Sequence, residues 1–330
     1  MRTLVARLDS DGDVLLAGPA IRAAATAGEV VLLCGPAGAQ AAELLPGVTR
    51  VVRWACPWIA NPAPDVRGAD IDGLVALLKG LRVDVALVLT SFHQSPLPLA
   101  LLLRLAGVPR IVARSVDYPG SLLDVRLRED PDVPEAERAL EVAVAAGFEL
   151  PPGDDGRLAV LPPPEPAQVG PYVVLHPGAS VPARAWSPRR CAEAVVALTE
   201  AGHRVLVTGG PSETALTAEV AGAHGVDLGG RTTFAELAGL LARADAVVVG
   251  NTGPAHLAAA VGTPVVSLFA PVVPAARWAP HGRHVLLGDQ DAPCRGTRAR
   301  DCPVAGHPCL DRVSARDVVA AVTELVGVRA

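Results

Sequence analysis

Short runs of β-branched and aliphatic residues recur along the chain, separated by amphipathic or alanine-rich stretches. The runs are continuous rather than alternating, as in Ala86-Leu87-Val88-Leu89 and Val205-Leu206-Val207. A strand of a parallel sheet covered on both faces needs this pattern, because neither of its sides meets water. Strands are predicted over 2–8, 29–34, 48–53, 83–89, 109–113, 172–176, 203–208, 245–249, 264–268 and 284–287. Helices are predicted over 14–27, 67–80, 94–107, 134–147, 187–201, 212–223, 233–243, 253–262 and 314–327. Alternation of the two along the whole length implies βαβ units and a doubly wound α/β fold. The segment 161–171, Leu-Pro-Pro-Pro-Glu-Pro-Ala-Gln-Val-Gly-Pro, sustains neither structure and parts the series into comparable halves. The expected organisation is therefore a Rossmann-like domain over 1–160, a linker over 161–171, a second Rossmann-like domain over 172–313, and a last helix in 314–330. Two such domains are expected to face a central cleft at the carboxyl ends of their strands.

The polar residues fall where strands give way to helices. The apolar run Val247-Val248-Val249 stops at Gly250-Asn251-Thr252-Gly253, and an alanine-rich helix follows. The unsatisfied N–H groups and positive dipole of such a helix start attract phosphate. Asn251, Thr252, Gly253 and His256 share that loop and first turn. A second group is His176-Pro177-Gly178-Ala179-Ser180, followed by Arg184 and by Ser187-Pro188, a cap and first-position pair for the next helix. Arg184 has the bidentate geometry to clamp a diphosphate; as a lone Arg it equally suits a solvated surface. The turn Thr208-Gly209-Gly210-Pro211-Ser212-Glu213 lacks the lysine of a P-loop. Its Glu213 suits either a first helical turn or the hydroxyls of a ribose. At the N-terminus, Arg7-Leu8-Asp9-Ser10-Asp11-Gly12-Asp13 has too few matches for a calcium loop. Asp13 reads either as a helix cap or as a general base.

Composition narrows the function classes. At 330 residues, half of them hydrophobic and 19% charged, the chain has core enough for two domains. A net charge of −5 argues against a nucleic-acid partner. Lys79 is the only lysine among 29 basic residues, which with the abundant Ala, Val, Gly and Pro suggests a GC-rich bacterial coding sequence. The opening Met-Arg-Thr-Leu-Val-Ala-Arg-Leu-Asp turns acidic before a signal-peptide core can form, and no apolar run reaches 18 residues. A cytoplasmic protein with at most peripheral membrane contact is expected, its six cysteines reduced. Cys294, Cys302, His307 and Cys309 form C-x7-C-x4-H-x-C, looser than the spacing of a zinc site. They are weak metal candidates beside the reading that they are buried thiols in a compact loop.

Several of these motifs, in register, resemble glycosyltransferase family 9, the ADP-heptose:lipopolysaccharide heptosyltransferase family. They are R-x-D-x-x-G-D-x-L (Arg7 to Leu15), H-P-G-A-S followed by R-x-W (His176 to Trp186), T-G-G-P-x-E (Thr208 to Glu213) and G-N-T-G-P-A-H-L-A-A-A-x-G-T-P (Gly250 to Pro264). The Cys294–Leu310 stretch resembles the family's cysteine-containing tail loop, whereas 54–130 carries no such motif. The resemblance implies a GT-B fold, a nucleotide-sugar donor held mostly by the second domain and an acceptor held mostly by the first. It implies that the last helix packs back toward the first domain. It also implies an inverting, metal-independent transfer with no cofactor beyond the donor, Asp13 acting as base on the acceptor hydroxyl. Ser180, Arg184, Thr252 and Gly253 would then stabilise the departing diphosphate, Glu213 would contact the nucleoside, and Asn251 and His256 the donor sugar or phosphate. The family commonly has Asp at the position of Asn251 and often Lys at that of Arg184, so the donor sugar stays open, as does the acceptor: a glycan, a lipid or a small molecule. A nucleotide-sugar 2-epimerase on the same fold and a non-catalytic nucleotide-sugar-binding protein are the alternatives.

Overall fold

The computed structural model describes residues 1–129 and 132–327. Residues 130–131, in the expected first domain, and 328–330, at the end of the expected last segment, lie outside the described residues. The chain divides into two compact units, Met1–Leu161 and Pro162–Ala330. The division falls at the start of the proline-rich segment, where the missing amide hydrogens of Pro162, Pro163 and Pro164 rule out a ladder or a helix.

The first unit holds strands β1 (Arg2–Arg7), β2 (Glu29–Cys34), β3 (Val48–Arg53), β4 (Val85–Val88), β5 (Arg110–Arg114) and β6 (Val125–Leu127). Its helices are α1 (Asp11–Leu16), α2 (Gly18–Ala25), α3 (Ala39–Ala42), α4 (Gly68–Leu81), α5 (Leu97–Leu105) and α6 (Glu135–Ala145). The strands pair in parallel in the order β3-β2-β1-β4-β5-β6. Leu4, Val5, Leu32, Leu33, Ala86 and Leu87 are all fully buried, so both faces of the sheet are covered, as the continuous apolar runs require. The predicted helix 14–27 is two helices. Ala17 closes α1, and Pro19, which has no amide hydrogen to give, sits in the first turn of α2. Leu101 and Leu105, one turn apart on α5, stay exposed, while Leu99, Leu102 and Leu103 enter the core.

The second unit repeats the plan with β7 (Val173–His176), β8 (Val205–Val207), β9 (Val226–Asp227), β10 (Ala246–Gly250), β11 (Val265–Leu268) and β12 (His284–Leu287). Its helices are α7 (Pro188–Glu200), α8 (Thr214–Ala221), α9 (Phe234–Arg243), α10 (Gly253–Ala260), α11 (Ala275–Trp278), α12 (Pro308–Asp311) and α13 (Ala315–Gly327). The sheet order is β12-β11-β10-β7-β8-β9, again parallel. Ser187 caps α7 by accepting from the Arg190 amide, with Pro188 in the first turn. Helix α13 buries Val318, Ala321, Val322 and Leu325 in the core of this second unit with Leu198 and Val266. Each larger side chain buried there stabilises the helix by about 1.5–3 kcal/mol. No helix among the described residues is long and apolar enough to cross a membrane.

Candidate functional site

In each unit the chemistry-bearing residues gather where the strand order reverses, at the carboxyl ends of β1 and β4 and of β7 and β10. Such a switch point opens a crevice in a doubly wound sheet because the helices on either side leave in opposite directions.

In the first unit Arg7, the last residue of β1, is 4% exposed and surrounded by acceptors. Its Nε lies 3.0 Å from Asp9 Oδ2, and its Nη2 donates to Asp13 Oδ1 at 2.8 Å and to Ser91 Oγ at 2.9 Å. Glu135 Oε2, from the first turn of α6, stands 3.8 Å from Nη1, and Glu135 Oε1 accepts from Arg138 at 2.7 Å. Gln94, in the loop after β4, donates to the other oxygen of Asp9. Burial disfavours the Arg7 charge, but Asp9, Asp13 and Glu135 more than reverse this and the guanidinium stays protonated. Burial also raises the Asp9 carboxyl against the pull of Arg7. It pushes Asp11 up to about 6, despite a 3.0 Å bond from the Ala41 amide.

Asp13 does not cap a helix. Ser10 takes the cap position of α1 and Asp13 is its third residue, its Oδ2 accepting from Ser10 Oγ at 2.9 Å. Arg7 and Ser10 thus fix both carboxylate oxygens, and the side chain remains 20% exposed. A carboxylate oriented this way and open to solvent can take a proton from a hydroxyl.

In the second unit β7 ends in His176, whose Nδ1 is 3.0 Å from Thr208 Oγ1 and whose Nε2 is 3.9 Å from Glu213 Oε2. Burial lowers the pKa of His176 although Glu213 pulls the other way, which favours a neutral imidazole. Glu213 Oε2 accepts from the Gly210 amide at 2.7 Å, so its carboxylate folds back over its own turn. A Cβ on Gly178 would lie 1.9 Å from Glu213 Oε1; only glycine lets the carboxylate lie there.

Ser180 is exposed, and Arg184 ends a single 3₁₀ turn, Pro182–Arg184, half-buried. The Arg184 carbonyl rests on β10: a Cβ on Gly250 would lie 3.0 Å from it. At the next residue Asn251 is 4% exposed, and neither its Oδ1 nor its Nδ2 finds a hydrogen-bond partner among the described residues. Thr252 occupies the cap position of α10, yet its side chain caps no amide of the first turn. Gly253 begins the helix, and His256, 4% exposed, sits in its first turn. A helix start left uncapped, beside a buried amide without partners, suits an anionic, hydroxyl-rich ligand.

The cysteines are free thiols. Cys294 and Cys309 are buried in the second unit's core, and Cys302, half-buried, points its thiol at the Val304 carbonyl. Burial, with the neighbouring Cys294, pushes Cys309 up to about 12. His307 Nε2 is turned to the Ala183 carbonyl at 3.1 Å. Among the described residues no group of three or more His, Cys, Asp or Glu is arranged to hold a metal ion.

Ser91 and Gln94 lie in a stretch without motifs, and Glu135 and Arg300 carry no local signal of their place either. Glu135 looks in sequence like any acid at a helix start, and only the fold shows it buried against Arg7. Arg300 sits among exposed arginines of the tail loop, yet its carbonyl accepts from the Ala183 amide at 2.8 Å and its Nη2 donates to the Ser180 carbonyl at 3.3 Å.

Two doubly wound units of matching strand order, each with polar groups at its switch point, define an α/β protein of the GT-B class. Residues 108–305, more than half of the chain, match the model of glycosyltransferase family 9 (heptosyltransferase), and the chain belongs to that family. It is 32% identical over 165 residues to lipopolysaccharide heptosyltransferase 3 of Escherichia coli, covering 47% of each chain. It thus spans about half the length of the curated relatives it matches. Its fold resembles that of E. coli ADP-heptose lipopolysaccharide heptosyltransferase II (TM-score 0.71, 20% identity, 99% of this chain and 98% of that one). It also resembles E. coli heptosyltransferase WaaC in its structure with ADP (TM-score 0.72, 21% identity, 98% and 100%). At such identities the likeness is one of fold.

Proposed function

We propose that this chain is a glycosyltransferase that moves a sugar, heptose or a relative of it, from an ADP-linked donor to a hydroxyl of a glycan, lipid or small-molecule acceptor. Asn251 carries the reading. A buried amide left without partners costs about 1–3 kcal/mol per unmade hydrogen bond, and a ligand rich in hydroxyl and phosphate oxygens at the mouth of α10 removes that cost. Family membership and the neighbour solved with ADP support the class of donor.

In this reading the second unit holds the donor. Arg184, Ser180 and the start of α10 at Thr252-Gly253 receive the diphosphate, Glu213 the nucleoside, and His256 with Asn251 the sugar or its phosphate. Asp13 takes the proton from the acceptor hydroxyl as its oxygen attacks the anomeric carbon. The bond to the nucleoside diphosphate breaks on the opposite face, which inverts the configuration. Arg184 and the helix terminus neutralise the charge that develops, so the proposal needs no metal. General-base catalysis of this kind contributes about 10²- to 10⁴-fold. Asp13→Asn is accordingly expected to lose at least a hundredfold in turnover while binding ADP as wild type does in a thermal-shift titration. Wild-type turnover in that variant removes Asp13 from the role of base; wild-type protein that no nucleoside diphosphate stabilises removes the donor assignment itself.

A further inference from the structure

The stretch Ser180–Trp186 carries the groups assigned to the diphosphate but has little structure of its own. It holds one 3₁₀ turn, closed by the local bonds Arg184 N to Val181 O and Ala185 N to Pro182 O. Four of its hydrogen bonds to the rest of the second unit run to a segment more than a hundred residues further on. The Ala183 amide donates to the Arg300 carbonyl at 2.8 Å, and the Ala183 carbonyl receives His307 Nε2 at 3.1 Å. Arg300 Nη2 donates to the Ser180 carbonyl at 3.3 Å, and buried Trp186 donates its indole N–H to the Leu310 carbonyl at 3.0 Å.

The segment that makes these bonds is itself held in an unfavourable form. His307 has φ +47°, a left-handed conformation that costs a non-glycine residue free energy, and Arg298 has φ +57°. Strain of that kind persists only where the surroundings fix it. Here Cys294, Cys309 and Leu310 anchor the segment in the core, while His307 projects onto the backbone of the loop that carries Arg184.

We infer that residues 294–310 form a bracket that sets the Ser180–Arg184 loop for the donor diphosphate, with His307 as its main positioning residue and Trp186 as its second fastening. The inference rests on the donor reading above. A phosphate clamp works only if its guanidinium is already placed, since a mobile loop must be ordered as the ligand arrives and that ordering weakens binding. His307 touches no ligand in this scheme; it acts through the Ala183 carbonyl on Arg184.

The test uses the full chain with ADP as probe, by calorimetric titration and thermal unfolding. His307→Gly removes the imidazole and relieves the left-handed strain, so the fold should keep or raise its Tm. The Kd for ADP should nevertheless rise about fivefold to tenfold, the loss expected from one positioning hydrogen bond. His307→Gln, which retains an N–H donor at similar reach, should bring the Kd back to within about twofold to threefold of wild type. Transfer assays should show the change in the donor KM, with kcat and the acceptor KM nearly constant. If the His307 variants do not fold, Trp186→Phe serves instead, since it removes the bond to Leu310 and keeps the aromatic packing; it too should weaken ADP. Folded variants that bind ADP as wild type does overturn the inference and leave the donor assignment standing. Wild-type protein that binds neither ADP, UDP nor GDP overturns both.

Discussion

Asn251→Leu separates the needs of the ligand from those of the fold. The wild-type amide is 4% exposed with both polar atoms unpaired, and each such atom costs about 1–3 kcal/mol. Leucine has the same branching and no polar atoms. After allowing about 1–2 kcal/mol for its greater bulk, the ligand-free variant should be more stable by about 2 kcal/mol. For a unit of this size that is a rise in Tm of roughly 4–8 °C. Calorimetry and urea unfolding without nucleotide read the gain, and Asn251→Ala, which cannot crowd the site, fixes its sign. The same variants should bind ADP-sugars at least tenfold more weakly, because a hydroxyl or phosphate oxygen loses its partner. If both variants unfold before wild type in the absence of ligand, the amide is already satisfied and the argument for a ligand at this position collapses.

Arg7→Met should cost about 3–5 kcal/mol at pH 7.5, because it strands Asp9 as a buried charge, whereas Glu135 keeps Arg138; a loss below about 1 kcal/mol in urea would contradict the network. Gly178→Ala should keep the native circular dichroism spectrum and lose about tenfold or more in nucleotide affinity, since the new Cβ drives Glu213 from its place; unchanged affinity would take Glu213 out of the site. Asp11 rises from 3.8 to about 6 on folding, so the folded state keeps a proton between those values that the unfolded chain has lost. Its stabilisation is present below about pH 4 and is lost as pH climbs through about 6. Asp11→Asn, which can still accept from Ala41, should therefore be more stable than wild type at pH 7.5 by about 1–2 kcal/mol, the shift being discounted for partial exposure. That advantage should vanish near pH 4, and a gain independent of pH would assign it to packing instead.

Much of the architecture is legible in the chain because its strands are continuous apolar runs. Val247 to Val249, cut off by Gly250-Asn251, marks both a central strand and the loop where Asn251 lies buried. Strands β6 and β9 were not foreseen: three and two residues long at sheet edges, they are too short for any period to register. The break between α1 and α2 is hidden because Val14 to Ala25 is apolar apart from Arg22, and Ser10, not Asp13, takes the cap position. Local motifs pointed to Arg184, Glu213 and Asn251, since each lies in the segment between a strand and the next helix. They gave no sign that Glu135 would be buried against Arg7, or that Arg300 and His307 would grip a loop so distant in sequence. Those partnerships exist only once the sheet has brought the segments together.

The two sheets share one strand order, counted outward from β1 and from β7. Each unit is therefore a rigid panel with one working rim, fed by the loops that leave its two middle strands, and the ladder hydrogen bonds lie away from that rim. Loops there can be rewritten without disturbing the sheet beneath them. The family match runs over 108–305 and takes in the whole rim of the second panel, but not the Arg7–Asp13 turn or the loop holding Ser91 and Gln94. Under the donor and acceptor assignment proposed above, two panels of equal design would let a lineage exchange the molecule that receives the sugar and keep the apparatus that supplies it.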